Sequence, residues 1–120
     1  MYRLLAPRIR AFSTTPIRRA KEYLPNEEWI ERTKSSTKFG VTKSAIEQMG
    51  EIVYVEFSAE PSQELKEGED LVVIESVKSV QVLTAPFDCI LSENNVELES
   101  DLDPINTDAE SENSWLVKLN

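Results

Sequence analysis

Residues 71–83 read Leu71-Val72-Val73-Ile74-Glu75-Ser76-Val77-Lys78-Ser79-Val80-Gln81-Val82-Leu83, two aliphatic runs separated by a polar turn. Each run, Leu71 to Ile74 and Val80 to Leu83, is dominated by β-branched and aliphatic residues of the kind that pack on a pleated, half-buried surface. Runs this close in the chain pair antiparallel, and the turn between them projects Lys78 into solvent. A lysine in a turn is ordinarily a solubilising residue, so any functional reading of Lys78 has to rest on its surroundings.

Upstream, Glu51 to Phe57 alternates, with Val53, Val55 and Phe57 set against Ile52, Tyr54 and Glu56, which predicts another strand. Before it, Gly40 to Gly50 follows a helical pattern. Thr42 is placed to cap the N-terminus, Ala45, Ile46 and Met49 share a face, and Gly50 stops the helix after about two turns. Pro61 to Gly68 reads as a polar connection leading into a Gly68-Glu69-Asp70 turn. Downstream, Ala85-Pro86 breaks the run, Phe87 to Leu91 resumes as a strand, Glu93 to Asp103 is an acidic connection, and Trp115 to Leu119 closes the chain as a strand. Short strands with turn signals between them and little helix point to a small β-barrel or sandwich. With 120 residues and 40% hydrophobic side chains, the chain builds one such core rather than two.

The net charge of −9 conceals an asymmetry. Arg3, Arg8, Arg10, Arg18, Arg19 and Lys21 precede the first acid, Glu22, which leaves residues 22–120 with seven basic residues against 22 acids, a net of −15. So acidic a surface repels phosphate backbones, which argues against nucleic acid as a partner. The longest aliphatic run, Leu71 to Ile74, falls far short of the roughly 20 apolar residues that cross a bilayer, so no membrane association is expected. With no histidine and a single cysteine, Cys89, the chain assembles neither a His/Cys metal site nor a histidine-based triad. Residues 1–20 are rich in Arg, Ser, Thr and Ala and lack acids, the composition of a mitochondrial transit peptide. Arg10, Phe12 and Thr15 resemble a two-step processing signal that would start the mature chain near Ala20, with a cut near Ser13 as the other possibility; the mitochondrial matrix is the expected location.

Glu75-Ser76-Val77-Lys78-Ser79, after a Gly68-Glu69-Asp70 turn and a hydrophobic strand and before Ala85-Pro86, resembles the lipoylation site of the H protein of the glycine cleavage system. The resemblance runs through Glu28-Trp29-Ile30, Gly40-Val41-Thr42, Ala45, and Gly50 to Glu56. It continues through Gly68, Pro86, Asn95, Leu98, Pro104-Ile105-Asn106 and Trp115 to Leu119. It implies a mainly β fold, the lipoyl-domain barrel–sandwich hybrid with one or two short helices, over residues 21–120. It also implies a non-catalytic carrier with lipoate covalently attached to Lys78.

The implied partners are glycine decarboxylase (P protein), aminomethyltransferase (T protein) and dihydrolipoyl dehydrogenase (L protein), together with the lipoyl/octanoyl transferase and lipoyl synthase that modify the lysine. Glu75, Ser76 and Val77 would be read by the modifying enzyme, and Glu28 would hold the amine of the loaded arm. Taken alone, Glu75 is equally a solvated strand-end charge and Val77 a turn-packing residue. Biotin carriers of similar fold want Met on both sides of the lysine, where Val77 and Ser79 stand here. Lipoyl domains of the 2-oxoacid dehydrogenases carry Asp before it and are joined to a large catalytic domain.

This chain departs from the H-protein pattern at several places. Glu27 replaces the family's His before Glu28, Val80 and Val82 occupy a normally polar stretch, and Cys89 stands where Gly is favoured. Ala109 to Ser114 replaces a Pro/Gly-rich turn, and Asn120 falls where the family continues into a C-terminal helix. Cys89 reads as a small buried hydrophobe rather than a redox thiol. The changes near the arm keep a second role open, a lipoyl relay that passes octanoyl or lipoyl groups to other mitochondrial enzymes. A third possibility is an interaction module that is never lipoylated.

Overall fold

The computed structural model describes residues 21–120; the transit-peptide reading of residues 1–20 lies outside them. The described residues begin with three antiparallel strands, β1 (Glu22–Leu24), β2 (Glu28–Arg32) and β3 (Thr37–Val41), which the alternation of the sequence does not announce. Helix α1 (Lys43–Met49) follows. Its cap is the one the sequence indicates: Thr42 Oγ1 accepts from the Ala45 amide at 3.1 Å, and the Gly50 amide donates to the Ile46 carbonyl at 2.8 Å, with Gly50 at φ 88°. Next come β4 (Ile52–Phe57), the two-residue β5 (Glu64–Leu65), β6 (Asp70–Ser76), β7 (Val80–Thr84) and β8 (Cys89–Asn94). A 3₁₀ turn (Val96–Glu99), a short helix α2 (Asp103–Thr107) and strand β9 (Val117–Leu119) complete the fold.

The strands form two sheets. One has six strands in the order β1-β2-β3-β9-β8-β5, and the other three in the order β4-β6-β7, with all pairings antiparallel. Phe39, Leu71, Val72, Ile74, Leu91 and Leu116 are fully buried in the core. A fully buried side chain of this size contributes about 1.5–3 kcal/mol relative to leaving it in water, and supply of that term from both sheets is what holds them together. Among the described residues no helix is long and apolar enough to cross a membrane.

Four sequence expectations are corrected in detail. The strict alternation of Glu51 to Phe57 is broken by a bulge between Ile52 and Tyr54, which turns Ile52 and Val55 inward and leaves Val53 and Tyr54 exposed. Within the connection Pro61 to Gly68, Leu65 is buried and β5 pairs with β8. The strand expected from Phe87 begins at Cys89 and runs on through Glu93 into Asn94, and the closing strand begins at Val117 rather than Trp115.

Close packing fixes the β2–β3 hairpin. Trp29 is buried opposite Gly40, donates its indole N–H to the Ala109 carbonyl at 3.2 Å, and carries the Lys21 ammonium 4.9 Å from its ring centroid. A Cβ on Gly40 would sit 2.6 Å from the Trp29 ring, so the ring occupies the space a side chain would need. Gly40→Ala is therefore expected to destabilise the domain by about 1–3 kcal/mol through overpacking, read as a lower urea midpoint; an unchanged midpoint would show that the ring has room to move.

Candidate functional site

Strand β6 enters the core through Leu71, Val72 and Ile74, and β7 returns with Leu83 buried, so the hairpin is anchored on its inner face. Glu75 pairs with Val80, and the four residues between them form the turn. Ser76 closes it. Its hydroxyl accepts from the Lys78 amide at 3.1 Å and the Ser79 amide at 3.0 Å and lies 3.2 Å from the Ser79 carbonyl, while its own amide donates to that carbonyl at 2.8 Å. The Val77 amide donates to the Glu51 carbonyl at 3.0 Å, which ties the turn to the start of β4. Strand β4 is fastened there in turn by Asn106, whose side-chain amide accepts from the Ile52 amide at 2.8 Å and donates to the Ile52 carbonyl at 3.0 Å.

At the tip of this arrangement Lys78 is exposed and forms no ion pair with any described residue. The stem of its side chain lies over Gly50: a Cβ on Gly50 would stand 3.2 Å from Val77 Cγ2 and 3.3 Å from Lys78 Cε. Val77 is 62% exposed, which makes it an outward-facing apolar residue rather than turn packing. Glu75 is half-buried, beside Tyr54 on β4 and Val80 on β7.

Glu28 stands away from the turn, on β2, where it is 7% exposed and its carboxylate has no hydrogen-bond or ion-pair partner among the described residues. Burial pushes its carboxyl up from 4.5 to about 7. It lines a cleft of about 260 Å³ with Asn26, Glu67, Gly68, Thr84 and Pro86. Because Thr84 ends β7 and Lys78 precedes its start, the cleft and the lysine lie at the two ends of one strand, whose length is about 13 Å at strand rise. The hairpin thus brings Glu75, at the end of its paired strand, together with Ser76, Val77 and Lys78 of the turn, while Glu28 stands at the cleft that the far end of β7 borders.

Asn106 and Gly50 are the site residues that chemistry-based reading passed over. The sequence signals for them were a helix-stop glycine and a Pro104-Ile105-Asn106 match, neither of which reveals a contact with the turn. Cys89 is buried, and its thiol is raised by burial and then by the charge of Asp88. No group of three or more metal-ligating side chains occurs among the described residues.

The chain is thus a mainly β barrel–sandwich domain that carries an exposed lysine on a four-residue, hydrogen-bonded hairpin turn. Residues 21–120 match the family model described as glycine cleavage H-protein, and the chain belongs to that family. It is 37% identical over 97 residues to the glycine cleavage system H protein of Dinoroseobacter shibae, covering 81% of this chain and 78% of the relative. It is 38% identical over 101 residues to the mitochondrial glycine cleavage system H protein of Saccharomyces cerevisiae, covering 83% and 58%. The crystal structure of a glycine cleavage system H protein from Mycobacterium marinum superposes with a TM-score of 0.73 at 27% identity, covering 86% of this chain and 84% of that one. The chain is accordingly a non-catalytic carrier component rather than an enzyme.

The Glu28 carboxyl gives a pH signature. In the fold it keeps its proton up to about pH 7, whereas the unfolded chain loses it near the ordinary value of 4.5. The unfolded state binds fewer protons in that window, so this group makes stability fall as pH rises from about 4.5 to about 7. Glu28→Gln, which is neutral throughout, is expected to flatten the fall in urea midpoint between pH 5 and pH 8; the same slope in wild type and variant would refute the assignment.

Proposed function

We propose that Lys78 is the lipoyl attachment residue and that the protein is the lipoyl-bearing carrier of the glycine cleavage system. The observation that carries this reading is an exposed lysine whose amide is held by the Ser76 hydroxyl, beside Val77 whose amide is held by the Glu51 carbonyl, while its amine is left free of ion pairs among the described residues. Attachment requires that amine to attack an activated acyl group, and the modifying enzymes are lipoyl/octanoyl transferase and lipoyl synthase. Ser76 serves by holding the turn, and Glu75 and Val77 offer a charge and an apolar side chain for that enzyme to read.

When bound, lipoate supplies a disulfide that accepts the aminomethyl group of glycine and is later reoxidised. The chain's own part is to move that arm among glycine decarboxylase, aminomethyltransferase and dihydrolipoyl dehydrogenase, and to keep its attachment point fixed so that the reach is set by side-chain bonds alone. Glu28, in its cleft at the far end of β7, suits an arm that ends in an amine: a cation entering the cleft would draw the carboxyl to its charged form and form the ion pair it lacks among the described residues. The location that fits is the mitochondrial matrix, supported by the acid-free basic residues 1–20 and by the mitochondrial yeast relative.

Exposed Val80 and Val82 beside Lys78 favour a second reading, a relay that hands octanoyl or lipoyl groups to other mitochondrial enzymes, because such side chains suit an alkyl chain. Intact mass of the protein from cells with active lipoylation should show a lipoyl adduct, absent in Lys78→Arg; an unmodified wild-type lysine would dismiss both readings. Reconstitution with purified partners separates the two. Carbon dioxide exchange into glycine that requires Lys78 supports the carrier, whereas full lipoylation without exchange supports the relay.

A further inference from the structure

The β4–β6 ladder changes register at the end nearest Lys78. From the pair of Phe57 with Val72 to that of Tyr54 with Glu75 the strands run in step, and continuing that register would set Val53 against Ser76, Ile52 against Val77 and Glu51 against Lys78. The bulge at Val53 shifts the pairing by one residue. Ile52 now pairs with Ser76, and the Glu51 carbonyl receives the Val77 amide at 3.0 Å, so Lys78 stays out of the ladder. Side chains do little to choose between the two registers. The bulged one buries Ile52 and exposes Val53, whereas the unbroken one would exchange them, one β-branched aliphatic residue for another.

What separates the registers is Asn106. Strand β4 is the edge of its sheet, so the Ile52 peptide groups that face away from β6 meet no strand. The Asn106 side chain stands in for one: its Oδ1 accepts from the Ile52 amide at 2.8 Å and its Nδ2 donates to the Ile52 carbonyl at 3.0 Å. Both atoms belong to one planar amide carried by α2, and a slip to the unbroken register turns Ile52 over and forfeits both bonds. We infer that Asn106 is a positioning residue for Lys78: by holding Ile52 it keeps the bulge, and with it the register that leaves Lys78 at the tip of the turn for acyl attachment. The inference rests on the carrier reading above. The effect of Asn106 passes through Ile52, Glu51 and Val77, the residues whose backbone bonds connect α2 to the turn.

The test uses the full-length chain. In the wild type the Val77 amide, although its residue is exposed, is expected to exchange with deuterium as slowly as the Ile52 amide, because one opening frees both. Asn106→Asp keeps the size and the acceptor but loses the donor. It should speed exchange at Val77 beyond the intrinsic rate change, and lowering the pH until the introduced carboxyl protonates should restore protection, since that form donates again. A purified octanoyl-transferring enzyme with an octanoyl thioester, whose thiol the Lys78 amine displaces, supplies the second readout. There Asn106→Asp should raise KM roughly fivefold and leave kcat alone, because only the fraction of chains in the productive register binds. Asn95→Ala, which strips a different amide from the Asn113 and Trp115 carbonyls, should lower the urea midpoint and move neither readout. Fast exchange of Val77 beside slow exchange of Ile52 in the wild type overturns the inference, and that measurement decides alone if Asn106→Asp does not fold. An unchanged KM in Asn106→Asp, or an equal rise in Asn95→Ala, overturns it too. A wild-type chain that is never acylated defeats the carrier reading instead, while exchange still reports on the bulge.

Discussion

The structure depends on a constraint imposed on the backbone of an exposed residue. Lys78 presents its amine to solvent, yet its amide is held by the Ser76 hydroxyl, and its neighbour Val77 is hydrogen-bonded to Glu51. These bonds sit on a hairpin whose inner face is core, and the β4 end that receives the Val77 bond is itself clamped by Asn106. A mobile side chain on an immobile turn results. Freedom is confined to the bonds beyond Cα, and loop-closure and backbone entropy are settled during folding rather than at each encounter.

The second consequence of the topology is that β7 links two unlike environments. Its start bears the turn and exposed apolar side chains, and its end borders a cleft containing a buried carboxyl with no ion-pair partner among the described residues. A buried carboxyl without a partner costs stability at neutral pH, so Glu28 does not help to hold the fold together there. The chain thus keeps an apolar path near the lysine and a protonatable acceptor a strand's length away, which are the properties an arm with a changing chemical end would meet in turn.

The sequence disclosed the Lys78 hairpin because its two flanking runs are purely aliphatic and its turn is polar, so period and composition agreed. It disclosed α1 because Thr42 and Gly50 bracket an apolar face. It concealed the β1-β2-β3 meander, because Glu31, Arg32, Thr37 and Lys38 occupy strand positions whose stability comes from cross-strand pairing and from Trp29 resting on Gly40, a contact 11 residues apart in sequence. The bulge in β4 was hidden for a similar reason: only the Asn106 clamp, 54 residues distant, explains why Ile52 and Val55 face the same way. At the site, the residue types were legible and the long-range bonds that hold them were not. The Ser76 hydroxyl, for example, is engaged by the amides of Lys78 and Ser79, a bonding pattern that residue type alone does not reveal.

Cys89 acquires its meaning from what the protein is proposed to carry. A dithiolane cargo exchanges with any accessible thiolate, and a reactive bystander cysteine on the same chain would trap the arm as an internal mixed disulfide. The chain's one sulfhydryl is shielded by β5 and disfavoured as a thiolate by its burial and by Asp88. Concealment of this thiol insulates the carrier from its own freight.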